Sequence, residues 1–266
     1  MSHAMELPAT SERGSTGNIR FQTLGSLQVI NGFRDCAPRT PKVLQVLALL
    51  LVRANRVVPT RSLIKELWGE HGPRSAVTTI HTYICQLRKL IERENLVAES
   101  SAMLVTQSPG YLLRVEPGQL DLQDFWNLRQ EGREHLARGR FTAASQSLRA
   151  ALSLWIEHPL LNVKLGPHLS AHVVKLEEER RNTLQSAIEA ELELDLHREL
   201  IPELRSLTTL YPSDEWLHRM LMVALDRSGR RGDALQVYQI LRGTLAAELG
   251  IDPAPETQQA HQQLLR

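Results

Sequence analysis

Cysteine is nearly missing from this chain: Cys36 and Cys85 are the only two among 266 residues. Two thiols cannot build a disulfide framework or a four-ligand zinc site, and a reducing cytoplasm is the expected compartment. Long hydrophobic runs are missing as well. Apolar stretches such as residues 43–52 fall well short of the ~20 residues a membrane span needs. The opening MSHAMELPATSERGSTG has no apolar core of a secretory signal. Residues 1–17 therefore read as a disordered tail, with Ser2-His3-Ala4-Met5 resembling a cloning scar. Catalytic motifs are absent too: there is no GxxxxGK[ST] phosphate loop and no GxSxG elbow. The ten histidines, including His158, His168 and His172, match no HExxH or other close metal spacing. Neither an enzyme nor a bound cofactor or metal is expected, and no aspartate in a receiver context supports phosphorelay control.

Net charge is also close to absent, at +1, but the average hides an asymmetry. Residues 18–116 hold thirteen Lys/Arg against seven Asp/Glu, a balance of +6, whereas residues 117–266 hold seventeen against twenty-one, a balance of −4. A basic front and an acidic back point to a polyanionic partner for the front alone.

What is present begins with short β-type runs, Ile19 to Leu24 and Leu27 to Ile30, and an Asn31-Gly32 hairpin signal. Thr40 as N-cap and Pro41 at the first helical position then open a buried helix through Val43, Leu44, Val46, Leu47, Leu50 and Leu51. After an extended link, residues 56–59, a cap at Thr60 starts a second helix through Leu63, Ile64, Leu67 and Trp68 that Gly69 stops. The loop Gly69 to Arg74 leads to a third helix, Ser75 to about Glu94.

On that helix Val77, Ile80, Ile84, Leu87 and Ile91 fall within one ~80° arc, which predicts a core-facing stripe. The opposite side carries Ser75, Thr78, Thr79, Thr82, Gln86, Lys89 and Arg93, with hydroxyls, an amide and cations but no carboxylate. Such a face offers donors to phosphate oxygens and base edges without placing like charge beside them. Met103 to Thr106, a turn at Ser108-Pro109-Gly110 and Tyr111 to Val115 follow as a hairpin of wing dimensions. The front half thus reads as a winged helix-turn-helix whose third helix fits a major groove.

The back half repeats helical pairs. Gly139-Arg140 and Ala144 recur as Gly229-Arg230 and Ala234, and Leu148 recurs as Tyr238, all at an offset of 90 residues. A turn glycine followed by a small residue at a close helix crossing is the packing of tetratricopeptide-like hairpins. Residues 194–210 look like a degenerate third unit with Asp195 at the turn, and residues 160–169 read as an irregular loop. Trp68, Trp126, Trp155 and Trp216 lie in helical stripes and are expected in the core. The fold class is mainly α with a small β component: an α+β winged helix-turn-helix over 18–116, then an all-α tetratricopeptide-like domain over 117–266.

At this level of detail the front half, from Leu24-Gly25 through Pro41-Lys42, Leu67-Trp68-Gly69, IHTYICQLRKL and Pro109-Gly110-Tyr111-Leu112-Leu113, resembles the winged-helix domain of the Streptomyces antibiotic regulatory proteins. It is also similar to the effector domains of two-component response regulators. Gln119-Leu120-Asp121-Leu122 with Phe125, Gly229-Arg230 and Glu248-Leu249-Gly250-Ile251-Asp252-Pro253 resemble the bacterial transcriptional activator domain that follows in that family. The chain looks like a short member without NTPase and sensor modules.

The resemblance implies a transcriptional activator that binds tandem direct repeats in double-stranded DNA near a promoter −35 element, as a homodimer, and recruits RNA polymerase through its sigma factor, often at an antibiotic gene cluster. It implies groove-facing Thr79, Thr82, Tyr83, Gln86 and Lys89, with Arg88 and Arg93 reaching phosphates. The loop with Glu70, His71 and Arg74 would face polymerase. Gln86 stands where many relatives carry arginine, and glutamine suits an adenine edge where arginine suits guanine. Arg88 projects near the core side, so the helix geometry leaves a structural ion pair as open as a DNA contact. Tyr83 lies on the boundary and is open to packing against the second helix. The rival reading is a helical-repeat interaction protein whose basic front binds nucleic acid without sequence choice.

Overall fold

The computed structural model describes residues 19–97 and 100–266; the tail expected over residues 1–17 lies outside them. The chain forms two compact units. One combines the residues up to Asn127 with Ala151–Arg180, and the other combines Leu128–Ala150 with Arg181–Arg266.

The first unit opens with an antiparallel sheet of β1 (Ile19–Gln22), β2 (Gln28–Asn31) and β3 (Arg34–Asp35), in register Ile19 opposite Asn31 and Asn31 opposite Arg34. Gly32, at φ 63°, turns β2 into β3 and leaves Phe33 wholly in solvent. Helix α1 (Pro41–Val52) buries every residue from Val43 to Leu51, Gln45 included. Thr40 holds the N-cap position, but its side chain makes no capping bond; the helix starts on the preset φ of Pro41.

The two-residue strand β4 (Val58–Pro59) leads into α2 (Thr60–Trp68). Thr60 was expected to cap this helix. Pro59 occupies that position, and Thr60 instead donates its backbone N–H and its hydroxyl to Pro109 O, at 3.1 and 3.3 Å. Gly69, at φ 67°, ends the helix.

Helix α3 (Ala76–Arg93) buries Ala76, Ile80, Ile84, Leu87 and Ile91. Val77, assigned to the same stripe from its spacing, is instead 50% exposed. Ala76 and Val77 lie on opposite margins of the stripe. The buried arc takes the Ala76 margin, which lies near Gly72, and leaves Val77 outside.

The short α4 (Ser100–Met103) precedes β5 (Leu104–Gln107) and β6 (Gly110–Leu113), which with β4 form a second sheet in the order β4-β6-β5. Beyond this wing the chain returns beside β1 and starts α5 (Asp121–Ala137). Asp121, buried, accepts from Thr23 N, Thr23 Oγ1, Leu24 N and Leu122 N at 2.6–2.9 Å. Burial pushes its carboxyl up from the usual value while these four donors pull it down, with a net rise.

Between α6 (Phe141–Ser153) and α7 (Pro167–Glu193) runs an irregular segment bonded into the first unit; the loop expected over 160–169 ends at Gly166, because Pro167 already opens α7. Leu160 N donates to Thr23 O, and the Asn162 amide pairs with both backbone polar groups of Leu27. Glu66 of α2 is 2% exposed and accepts from Gly166 N (2.6 Å), His168 N (2.8 Å) and Leu169 N (3.2 Å), capping α7. Trp155 is buried, edge-on to Phe125 at 5.3 Å. Trp68, Trp126 and Trp216, expected in the core, are only half-buried, and lysine ammonium groups lie over the rings of the first two.

The second unit is helical throughout. It takes the ends of α5 and α7, most of α6, and α8 (His197–Leu210), α9 (Glu215–Arg227), α10 (Arg231–Glu248) and α11 (Pro255–Leu264). Gly139 (φ 66°) and Gly229 (φ 76°) turn one helix into the next, as their spacing suggested. Asp195, at φ 59°, does the same without being glycine. All three turns close alike: the turn N–H bonds three residues back and the next N–H five residues back, the Schellman pattern. Asp195 Oδ1 lies 3.1 Å from His197 Nε2, a local polar contact of the kind that lets aspartate enter the left-handed region. The third, degenerate unit is therefore a genuine helical hairpin. Arg149 joins α6 to α7 and α8 by paired bonds to Glu191 and Glu203 at 2.6–2.8 Å.

Candidate nucleic-acid interface

Helix α3 owes its position to its own stripe. Ile80, Ile84, Leu87 and Ile91 lie against the core, so the side turned away must be solvent-facing. That side presents Thr82, Gln86, Lys89 and Arg93 exposed, with Thr79 and Tyr83 half-buried at its edge. Spacings of three and four residues stack Thr79, Thr82, Gln86, Lys89 and Arg93 along one face. The hydroxyls of Thr79 and Thr82 donate back to Ser75 O and Thr78 O, at 3.0 and 3.1 Å. The Gln86 amide makes no side-chain hydrogen bond among the described residues.

Two acidic residues border this face, and both are occupied. Glu92 accepts from Ser100 Oγ. Glu94 accepts from Arg93 Nε at 2.8 Å and from Cys36 Sγ at 3.4 Å, and those two bonds hold its carboxyl below the usual range. Cys36 is raised, first by burial and then by that carboxylate. Cys85, beside the face, is exposed.

Arg88, the residue with two open roles, turns away from this row. Its Nε and Nη2 donate to Leu104 O at 3.2 and 2.9 Å, and Nη2 also donates to Thr106 Oγ1 at 2.8 Å. It therefore pins strand β5 of the wing to α3. An Arg88→Ala variant should lose about 1–3 kcal/mol of stability, the worth of charge-assisted bonds, and bind all duplexes more weakly. Denaturant titration checks this: a residue serving only as a phosphate contact would leave the unfolding midpoint unchanged.

The loop between α2 and α3 is exposed at Glu70, His71 and Arg74. Lys65 Nζ approaches Glu70 to 2.6 Å and holds its carboxyl below the usual range. Arg34 and Arg39, which carry no local sequence signal, line an open cleft of about 820 Å³ beside Gln86, Lys89 and Arg93. Nothing in their spacing signals this, because the β3–α1 link reaches α3 only through the fold. Among the described residues no group of three or more His, Cys, Asp or Glu could hold a metal ion, and no helix is long and apolar enough to cross a membrane.

A winged helix with a carboxylate-free outer face, followed by stacked helical hairpins, defines a class: DNA-binding transcriptional regulators. Two family models match accordingly, the "transcriptional regulatory protein, C terminal" family over residues 35–113 and the "bacterial transcriptional activator domain" over residues 120–265. The regulatory protein DnrI of Streptomyces peucetius is 37% identical, over 93% of this chain and 92% of its own length. AfsR of Streptomyces coelicolor is 35% identical over 96% of this chain, which spans only 25% of that larger protein. A solved structure of Mycobacterium tuberculosis EmbR, in complex with a low affinity phosphopeptide, matches with a TM-score of 0.85 at 33% identity, covering 94% of this chain and 65% of that one. The chain belongs to the Streptomyces antibiotic regulatory protein family of transcriptional activators, whose members are regulators and not enzymes.

Proposed function

We propose that this activator reads its promoter with the outer face of α3, binding tandem direct repeats near the −35 element as a homodimer. On this reading the DNA-binding domain spans residues 18–116 and the activator domain 117–266. Thr79, Thr82, Tyr83, Gln86 and Lys89 face the groove, and Arg93 reaches phosphate. Arg88 acts mainly by holding the wing. The loop with Glu70, His71 and Arg74 meets the sigma factor of RNA polymerase, and the target is an antibiotic or other secondary-metabolite gene cluster. The observation that carries the proposal is the row of exposed polar and cationic side chains on α3, unbroken by any free carboxylate. An α-helix of ~10–12 Å diameter fills a major groove about 12 Å wide, so such a row meets base edges and phosphates together.

The test is binding to promoter fragments of the host genome in excess mixed-sequence DNA. Specific complexes should survive the competitor; equal affinity for promoter and mixed duplexes at moderate salt would refute the reading. For the loop, Glu70→Ala with Arg74→Ala should lower transcription in a purified polymerase assay several-fold while leaving DNA affinity unchanged. Loss of DNA binding itself would show that the loop serves the duplex.

A further inference from the structure

The cleft beside α3 has two walls. One is the outer face of the helix itself, with Gln86, Lys89 and Arg93; the other is β3 and its link to α1, with Arg34 and Arg39. We propose that this cleft holds a sugar-phosphate strand of the DNA duplex, Arg34 and Arg39 contacting its phosphates from the side opposite Lys89 and Arg93. The inference rests on α3 being the groove helix and adds a second protein element to that interface.

Geometry supports it first. A helix that fills the major groove has a phosphate rim along each side, because groove and helix are of nearly equal width. Lys89 and Arg93 continue the face that begins at Thr79 and Thr82, so the rim beside the C-terminal half of α3 lies along this cleft. A volume of about 820 Å³, open to solvent, accommodates a stretch of backbone.

Charge supports it independently. Four cations line the cleft against two carboxylates, and both carboxylates are committed to the protein. Asp35 Oδ1 accepts from Val29 N and Ala37 N, at 3.1 and 2.9 Å. Glu94 lies between Arg93 at 2.8 Å and Arg34 at 4.0 Å, and Asn31 Nδ2 donates to its backbone carbonyl at 2.8 Å. Glu94 thereby joins the two walls at one end and sets the two arginines on either side. Arg39 and Lys89 make no ion pair among the described residues, and the Arg34 side chain is 81% exposed. Thr40 also lines the cleft, at the positive end of the α1 dipole, with a hydroxyl that makes no capping bond. Two unpaired cations, Arg39 and Lys89, together with the exposed Arg34 and Arg93 that share Glu94, give the cleft a net positive charge beside a helix dipole, which favours an extended anion such as a nucleic-acid backbone.

The experiment uses the full chain and a fluorescein-labelled mixed-sequence duplex, with affinity measured across a salt series. Each phosphate contact contributes about 0.9 to the slope of log affinity against log salt, so Arg34→Ala with Arg39→Ala should make that slope shallower by about two and weaken binding roughly tenfold to a hundredfold at moderate salt. Promoter and mixed duplexes should lose affinity equally, since phosphates carry no sequence information. Arg34→Lys with Arg39→Lys should keep the slope, and both variants should keep the wild-type unfolding midpoint because the side chains are exposed. A wild-type slope in the alanine variant, while Lys89→Ala flattens it, would overturn the proposal and leave the groove reading standing. Salt-independent binding by the wild-type protein would instead refute the groove reading itself.

Discussion

Gln86→Ala should erase the protein's preference at one base step of its site without weakening its hold on mixed-sequence DNA. The Gln86 side chain is exposed, uncommitted to any intramolecular bond, and central in the α3 row between Thr82 and Lys89. A glutamine amide donates and accepts in the same plane, matching N7 and the amino group of adenine, and a well-made pair of this kind discriminates by about 1–3 kcal/mol. Selection from a randomised duplex pool should show one position turning degenerate, with affinity for the best site falling about fivefold to a hundredfold. The salt slope should not change, because no charge is removed. Gln86→Arg should shift the preferred base at that step to guanine. Equal losses on every sequence would place Gln86 outside the base-reading set.

Glu66→Ala should destabilise the first unit by about 3 kcal/mol, since three backbone N–H groups, that of Leu169 buried and those of Gly166 and His168 part-buried, lose their acceptor at about 1–3 kcal/mol for each buried group. For a unit of this size the melting temperature should fall by about 6–10 °C. Tryptophan fluorescence is a suitable probe, as Trp68, Trp126 and Trp155 all lie in this unit. Glu66→Gln keeps an acceptor oxygen and should lose less. An unchanged midpoint in the alanine variant would mean that the N-terminus of α7 finds other partners.

These two residues also mark how far the sequence could be read. Gln86 was legible because periodicity alone separates the faces of an eighteen-residue helix, and an outer face without carboxylate is a local signal. The wing was legible from its turn residues, and the helical hairpins from Gly139 and Gly229. Glu66 was not, since its partners lie 100 to 103 positions away and nothing nearby marks it as buried. For the same reason the sequence carries no local mark of the packing of Ala151–Arg180 within the first unit. Val77 failed at the margin of its stripe, where a few tens of degrees decide burial, and tertiary packing, not periodicity, settles them. Arg88 sat at the same kind of margin, and Leu104 O, sixteen positions on, determines where its guanidinium goes. Asp195 shows the converse: the hairpin forms without a turn glycine, and a local polar contact accompanies the same backbone turn.

The hydroxyl bonds of Thr79 and Thr82 have a bearing on what that end of α3 says to a base. With each proton directed back at a carbonyl of its own helix, both side chains offer outward only oxygen lone pairs and a methyl group. While those bonds are kept, such a surface has no hydroxyl proton for the acceptor-only edge of guanine. It favours the amino groups of cytosine and adenine and the methyl of thymine. The face then has two dialects along its length: apolar and accepting at the N-terminal end, donating and cationic from Gln86 onward. An operator that suits it would carry that same polarity, and inverting a half-site in place would set each dialect against the wrong bases.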